Sequence, residues 1–285
     1  MASELTWWPS VAKLNLFLHI TGRREDGYHN LQSLFQLLDC GDRLAFEPTE
    51  DHQIALMTPL VGVPDEDNLI VKAARLLQPF AADNAGCKIW LDKRLPMGGG
   101  IGGGSSNAAT TLLVLNSLWQ CNLSLQQLEQ LGLQLGADVP VFVHGRTTFA
   151  SGVGEQFVDA PQPQHWFLVA TPGVHIATAD IFRHLELPRQ TPVMNWQDYT
   201  FDNTTNDCQE LVCRYHPKVA KLLHWLLEYA PSRMTGTGSS VFAVFADQSQ
   251  ALKVLDALPD EFMGFVAQGV NISPLHSQLE QRKTD

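Results

Sequence analysis

A two-domain protein of mixed helices and strands is what the sequence predicts, and three observations predict it. The chain has 285 residues, against roughly 150 for a typical domain. Its opening segments alternate apolar and polar residues with period two, and helical runs follow. Beyond the stretch Ala160-Pro161-Gln162-Pro163 the pattern of strands and helices restarts, which places the domains at 1–160 and 161–285.

The first element is a strand over residues 11–20, where Leu14, Leu16, Leu18 and Ile20 alternate with Lys13, Asn15, Phe17 and His19. The leucine set faces a core, and Lys13 and Asn15 share the opposite face. From this segment alone that face is either solvated or part of a site. Alternation near residues 31–38 and 43–47 suggests an antiparallel meander. Asn68 opens a helix that Pro79 ends, and residues 87–92 read as another strand. Helices follow over residues 108–119 and 125–135. Ser124 and Gln127 stand at capping-box spacing, and Gly136 suits the C′ position. Gly136-Ala137-Asp138-Val139-Pro140 is a tight loop. In the second half, residues 166–170, 241–245 and 265–270 read as strands. Residues 178–185, 216–229 and 248–258 read as helices, with Pro217 in a first turn.

Composition narrows the functional classes. A hydrophobic fraction of 45% supports a full core. Nineteen Lys and Arg against thirty Asp and Glu leave a net charge of −11, which disfavours nucleic acid and anionic membrane surfaces as partners. A small anion would need local amides or a few placed cations. The longest apolar runs are five or six residues, far short of the roughly 20 of a spanning helix. The opening Met-Ala-Ser-Glu lacks a basic n-region, so no signal peptide is expected. Five scattered cysteines, whose closest pair is Cys208 and Cys213, fit no zinc pattern and suit reduced thiols in a cytosol.

The most informative segment is Gly98-Gly99-Gly100-Ile101-Gly102-Gly103-Gly104-Ser105-Ser106-Asn107, with six glycines in seven positions. Glycine is entropically costly. A run of it between a strand and a helix lets successive amides wrap an anion, with the positive end of a helix beginning near Ser105 behind them. Ser105 and Ser106 can offer hydroxyls to phosphate oxygens or to a metal held by them. A flexible linker would not join a strand directly to a capped apolar helix. The loop is not a Walker A motif, because no lysine occurs between Lys93 and Lys218. It is not a dinucleotide fingerprint either, because no acid lies between Asp92 and Glu129.

Residues Leu95-Pro96-Met97 through Ala108-Ala109 resemble the ATP loop of the GHMP kinases, the family of galactokinase, homoserine kinase, mevalonate kinase and phosphomevalonate kinase. Pro9-Ser10-Val11-Ala12-Lys13-Leu14-Asn15-Leu16 resembles the family's N-terminal motif, and Thr235-Gly236-Thr237-Gly238-Ser239-Ser240-Val241-Phe242 its C-terminal one. The segments Gly22 to His29, Glu66 to Ile70, Gly136 to Pro140 and Asn271 to Leu275 narrow the resemblance to one branch. That branch acts on a cytidine diphosphate ester of methylerythritol in the non-mevalonate route to isoprenoid precursors. Ile101 replaces the usual Leu. Asn206-Asp207-Cys208-Gln209 departs from the commoner Asn-Asp-Leu-Glu and receives no role.

The resemblance implies an α+β fold with an N-terminal domain like domain 2 of ribosomal protein S5 and a ferredoxin-like C-terminal domain, with the site in the cleft between them. It implies transfer of the γ-phosphoryl of ATP, with Mg²⁺, to the 2-hydroxyl of the methylerythritol arm. Lys13 and Asp138 are the implied catalytic pair. Lysine keeps the carboxylate charged, which favours a role in orienting the hydroxyl and accepting its proton late. Asn15, Tyr28, His29, Thr178 and Phe182 are the implied substrate contacts. Asn68, Lys93, Pro96, Met97, Gly98, Gly99, Gly100, Ile101, Gly102, Gly103, Gly104, Ser105 and Ser106 are the implied ATP contacts. On the residues alone, Asp138 is equally an Asp of a helix-terminal turn, and Phe182 a core aromatic. The resemblance further implies a cytoplasmic monomer or weak homodimer. Rival readings are a GHMP kinase for a different alcohol, and a nucleotide-binding regulator without catalysis, which would not need both Lys13 and Asp138.

Overall fold

The computed structural model describes residues 5–284, so the opening Met-Ala-Ser-Glu read for a signal lies outside the described residues. The first half begins with two long antiparallel strands, β1 (Trp7–Arg23) and β2 (His29–Thr49), followed by the short β3 (Ile54–Leu56). Helix α1 (Leu69–Leu77), strand β4 (Gly86–Asp92) and helices α2 (Gly103–Leu118), α3 (Leu125–Leu135) and α4 (Val139–His144) come next, and the hairpin β5 (Thr148–Ser151) and β6 (Gln156–Asp159) closes this half.

The second half runs β7 (Trp166–Thr171), α5 (Thr178–Arg183), α6 (Gln209–Tyr215), α7 (Pro217–Leu227), β8 (Ser232–Met234), β9 (Val241–Phe245), α8 (Gln248–Asp256), β10 (Met263–Val270) and α9 (Pro274–Thr284). Its strands lie side by side as β10-β7-β9-β8, all antiparallel, which is the βαββαβ arrangement of a ferredoxin-like unit. β10 also pairs with β2 through Gly269 and Val270, so the strands of both halves join in one sheet.

Two expectations change here. The apolar runs at 31–38 and 43–47 are not two strands of a meander but one strand, β2, paired to β1 along its length. The break in alternation near Asp39 marks an irregular register, not a turn. Gly41 sits there because a Cβ would lie 2.0 Å from the Ser10 carbonyl oxygen. The face of β1 that carries Lys13 and Asn15 is not solvated, since both residues are buried. Helices α2 and α9 pack on β1, and a core of Leu14, Phe17, Leu34, Phe149, Phe167 and Phe242 spans the two halves.

The cap signals are realised unevenly. Asn68 accepts from the Ile70 amide and caps α1, and Ser124 and Gln127 form the reciprocal box of α3. Gly136 ends α3 in extended backbone at φ 168°, not in the left-handed form expected of a C′ glycine. Helix α2 starts two residues earlier than expected, inside the glycine run, with Gly102 as its N-cap at φ 78°. No described helix is long and apolar enough to cross a membrane.

Candidate active site

The glycine loop is clamped from three sides. Its Ile101 side chain is buried in the shared core, and its Ile101 carbonyl accepts from the Lys13 amide at 3.0 Å. Across the cleft, the Ser240 amide donates to the Gly99 carbonyl at 3.1 Å. Gly98, Gly100 and Gly102 take positive φ values of 71°, 74° and 78°, a backbone path that glycine adopts without steric cost. The loop therefore belongs to both halves of the molecule.

Upstream, Asp42 fixes where the loop begins. Its fully buried carboxylate accepts from the Arg94 and Leu95 amides at 2.8 Å each, from Lys93 Nζ at 2.8 Å and from Asn107 Nδ2 at 3.0 Å. One acid thus joins β2, the approach to the loop and the first turns of α2. The only signal for it in the sequence is a charge in the middle of a buried strand.

Beside the loop lies a cavity of about 360 Å³ lined by Asn68, Lys93, Pro96, Met97, the run from Gly98 to Ser105, and Asp138. Asn68 is buried, and its side-chain amide nitrogen has no partner in the protein. Of the two serines expected to face phosphates, Ser105 lines the cavity and Ser106 does not. Ser106 is buried with its Oγ 2.9 Å from Ser10 Oγ, so its hydroxyl is engaged inside the protein.

A second cavity of about 290 Å³ shares Gly100, Ser105 and Asp138 with the first, and holds Lys13, Asn15, Ser33, Thr178, Phe182 and Thr237. A third, of about 330 Å³, continues from it past Ala137, Val153, Thr178 and Phe182 to Tyr28, His29, Arg23 and Arg183. The three form a trough, with Asp138 and Ser105 where the first two cavities meet. Lys13 Nζ stands 2.7 Å from Asn15 Oδ1, 3.1 Å from the Gly100 carbonyl oxygen and 3.2 Å from Asp138 Oδ2. Asp138 occupies the N-cap position of α4, yet its side chain accepts no capping bond from the helix. Its carboxylate is turned to Lys13 instead.

At the far end, the His29 ring stacks on Phe182 with centroids 5.4 Å apart and planes at 29°. His29 is the first residue of β2 and buried, not part of an exposed loop, whereas Tyr28 is 66% exposed at the rim. Burial, then the charges of Arg189 and Arg23, hold the His29 imidazole below its usual pKa. Thr178 Oγ1 lies 2.9 Å from Thr237 Oγ1, which links α5 to the second glycine-bearing turn.

Sequence reasoning assigned no part to Arg189, to Asn206 or to individual residues of the Thr235 to Ser240 turn. Asn206 donates from Nδ2 to the Met234 and Gly236 carbonyl oxygens at 2.8 Å each. Thr235 Oγ1 accepts from the Asn15 amide at 2.8 Å.

Residues 68–146 match the model of the GHMP kinases N terminal domain, and residues 194–263 that of the GHMP kinases C terminal domain. A 4-diphosphocytidyl-2-C-methyl-D-erythritol kinase of Pseudoalteromonas atlantica is 60% identical, over 98% of each chain. One of Shewanella woodyi is 55% identical, over 99% of this chain and all of the other. Among solved structures, a 4-(cytidine 5'-diphospho)-2C-methyl-D-erythritol kinase superposes with a TM-score of 0.82 at 30% identity, over 93% of this chain and 99% of that one. Homoserine kinase of Cytophaga hutchinsonii, at 16% identity and a TM-score of 0.67 over 96% of each chain, shares the fold. With such identity along nearly its whole length, the chain belongs to the 4-diphosphocytidyl-2-C-methyl-D-erythritol kinase family of the GHMP kinases.

Proposed function

We propose that this protein transfers the γ-phosphoryl of ATP to the 2-hydroxyl of 4-diphosphocytidyl-2-C-methyl-D-erythritol, in the non-mevalonate route to isoprenoid precursors. The observation that carries the reading is the trough. A glycine-loop cavity and an aromatic-ended cavity meet at Asp138 and Ser105, with the buried Lys13 ammonium between them.

The nucleotide occupies the loop side. Asn68, Lys93, Pro96 and Met97 surround the adenosine, and the Gly98 to Ser105 backbone follows the phosphates at the start of α2. The unpartnered Asn68 amide fits a ligand acceptor there. The acceptor substrate lies on the other side, its cytosine beside Tyr28, His29 and Phe182 and its polar arm near Asn15 and Thr178.

Phosphoryl transfer has a loose transition state, so catalysis rests on positioning and charge stabilisation. Lys13 supplies a fixed positive charge at the junction. Asn15 and the Gly100 carbonyl aim it, and it cannot swing into solvent because it is buried. Asp138 orients the attacking hydroxyl and takes its proton late. Mg²⁺ is the expected companion of ATP. Among the described residues no cluster of three or more His, Cys, Asp or Glu could hold a metal. Ser105 and the partly open Asp138 carboxylate are oxygen donors at the junction, which suits an ion held mainly by phosphates and water. When bound, it would neutralise charge on the transferring group.

We place the enzyme in the cytoplasm as a monomer or weak homodimer, with domains at 1–160 and 161–285. The deciding assay is ATP-dependent phosphorylation of diphosphocytidyl-methylerythritol beside mevalonate and homoserine. ADP release with the cytidylyl ester alone supports the reading, and release with either decoy alone overturns it.

A further inference from the structure

Arg189 lies in the segment after α5, outside the motifs described above, yet all three nitrogens of its guanidinium are engaged within the protein. Nε points at His29 Nε2 at 3.0 Å. Nη1 donates to the Leu185 and Leu187 carbonyl oxygens at 3.3 and 3.1 Å, and Nη2 to those of Phe182 and His184 at 3.2 and 2.6 Å. A guanidinium has five N–H donors and nothing that accepts. His29 Nε2 must therefore accept, and a neutral imidazole that accepts at Nε2 carries its proton on Nδ1.

We infer that Arg189 is a positioning residue that locks His29 as the neutral Nδ1–H tautomer and, through the Phe182 carbonyl, sets the ring that His29 stacks upon. This rests on the reading of the aromatic-ended cavity as the cytosine site. Cytosine is neutral and offers acceptors at N3 and O2, so a pocket that keeps one donor in place and adds no charge is suited to it. Without the arginine, no hydrogen bond would fix which ring nitrogen of His29 carries the proton.

The surrounding charges act in the same direction. Arg23 pairs with His29 across the β1–β2 ladder, Arg183 of α5 lines the same cavity, and Arg189 faces the ring from the following segment. Tyr28 is the neighbouring titratable group of the turn, and the carboxylate of Asp26 in that turn is paired with Arg24. Protonating His29 would place a second cation against Arg189 and set two donors head to head. Burial and the charges of Arg189 and Arg23 keep its pKa below 6.5.

The test is long-range proton–nitrogen NMR of the whole protein labelled at histidine nitrogen, with His29 identified from the spectrum of His29→Gln. In the parent protein near neutral pH, Nε2 should resonate as an unprotonated acceptor and Nδ1 as a donor. In Arg189→Gln, whose amide both donates and accepts, His29 should take up its proton at a higher pH than in the parent, because one of the charges that hold it down is gone. A proton on Nε2, or an ordinary titration in the parent, overturns the inference without recourse to any variant.

Kinetics supply the second readout. In Arg189→Gln the KM for the cytidylyl ester should rise roughly tenfold as the pH falls through the histidine range, with the KM for ATP and kcat little changed. Arg189→Lys keeps the charge and one donor, so its KM should be raised but nearly flat with pH. Parallel pH profiles for Gln and Lys would overturn the inference. If the parent protein does not phosphorylate the ester, the functional reading falls, while the spectra still decide the tautomer.

Discussion

Lys13 Nζ lies 3.2 Å from Asp138 Oδ2, and the two partners are unequally exposed, 2% for the lysine and 38% for the aspartate. The cation is fixed from within the protein, while the carboxylate keeps an open edge toward the cavities on both sides. An ion pair built only for stability would not need this asymmetry, whereas a charge that must meet an incoming hydroxyl does. Asp138→Asn keeps the shape and removes the negative charge. Turnover should fall by roughly 10²–10⁴, with nucleotide affinity near that of the parent. Steady-state ADP release and calorimetric nucleotide titration check this, and near-normal turnover would refute it.

Asp42 is the structural counterpart of that pair. Its side chain is fully buried, and the amides of Arg94 and Leu95, the Lys93 ammonium and Asn107 all donate to it. Removing a buried acid strands these donors, and the Lys93 charge with them. Asp42→Ala should cost about 3–5 kcal/mol in urea unfolding and raise the nucleotide KM, because the loop entry loses its anchor. Asp42→Asn, which still accepts at one oxygen, should fall between. Equal stability of Asp42→Ala and parent would contradict this account.

The glycines of the loop are not equivalent. Gly100 has φ 74°, and a Cβ there would sit 2.6 Å from the Gly238 carbonyl oxygen, a backbone atom that cannot rotate away. Gly104 lies inside α2, and a Cβ there would meet only Leu69 at 3.6 Å. Gly100→Ala should therefore push the two glycine-bearing turns apart, lowering both stability and nucleotide affinity. Gly104→Ala should leave the fold intact and stabilise it by about 0.4–1 kcal/mol, whatever the added methyl does to phosphate binding. Denaturation midpoints of the two variants separate these outcomes, and equal losses would mean that the turns do not pack as described.

Much of the molecule was legible where the signal is local. The N-cap at Asn68, the capping box at Ser124 and Gln127, the glycine run before α2 and the strands β7 and β9 each depend on residues a few positions apart. The length of β2 was not legible, because its continuity past Asp39 is set by pairing with β1 rather than by its own alternation. Helix α9 was missed because few of its residues are apolar; Leu275 and Leu279 alone join the core of the first half. Asp42, Arg189 and Asn206 were missed for a related reason. Each makes at least one side-chain bond to a partner between 28 and 160 positions away, and nothing in the neighbouring sequence announces a contact of that range. Lys13 and Asp138 are equally distant in sequence. They were proposed as a pair only because each sits in a motif of its own.

Helix α4, which carries Asp138 at its start, is held at its other end by the last helix of the chain. His276 of α9 donates from Nε2 to the Val143 carbonyl oxygen at 2.9 Å, while its buried Nδ1 has no partner. Burial lowers the His276 pKa below 6.5; the Val143 bond and Glu280 oppose this, and His144 and Arg146 add to it. Because the native pKa is the lower one, the unfolded chain binds more protons below pH 6.5. The stability from the neutral ring is complete above that pH and erodes as the pH falls toward the native value. His276→Gln, which can still donate to Val143 and does not titrate, should show a smaller drop in Tm between about pH 7.5 and pH 5 than the parent. His19 and His29 are shifted in the same direction, so some slope should remain. Superimposable Tm profiles of parent and variant would mean that His276 contributes nothing to the acid sensitivity and that α9 holds α4 by packing alone.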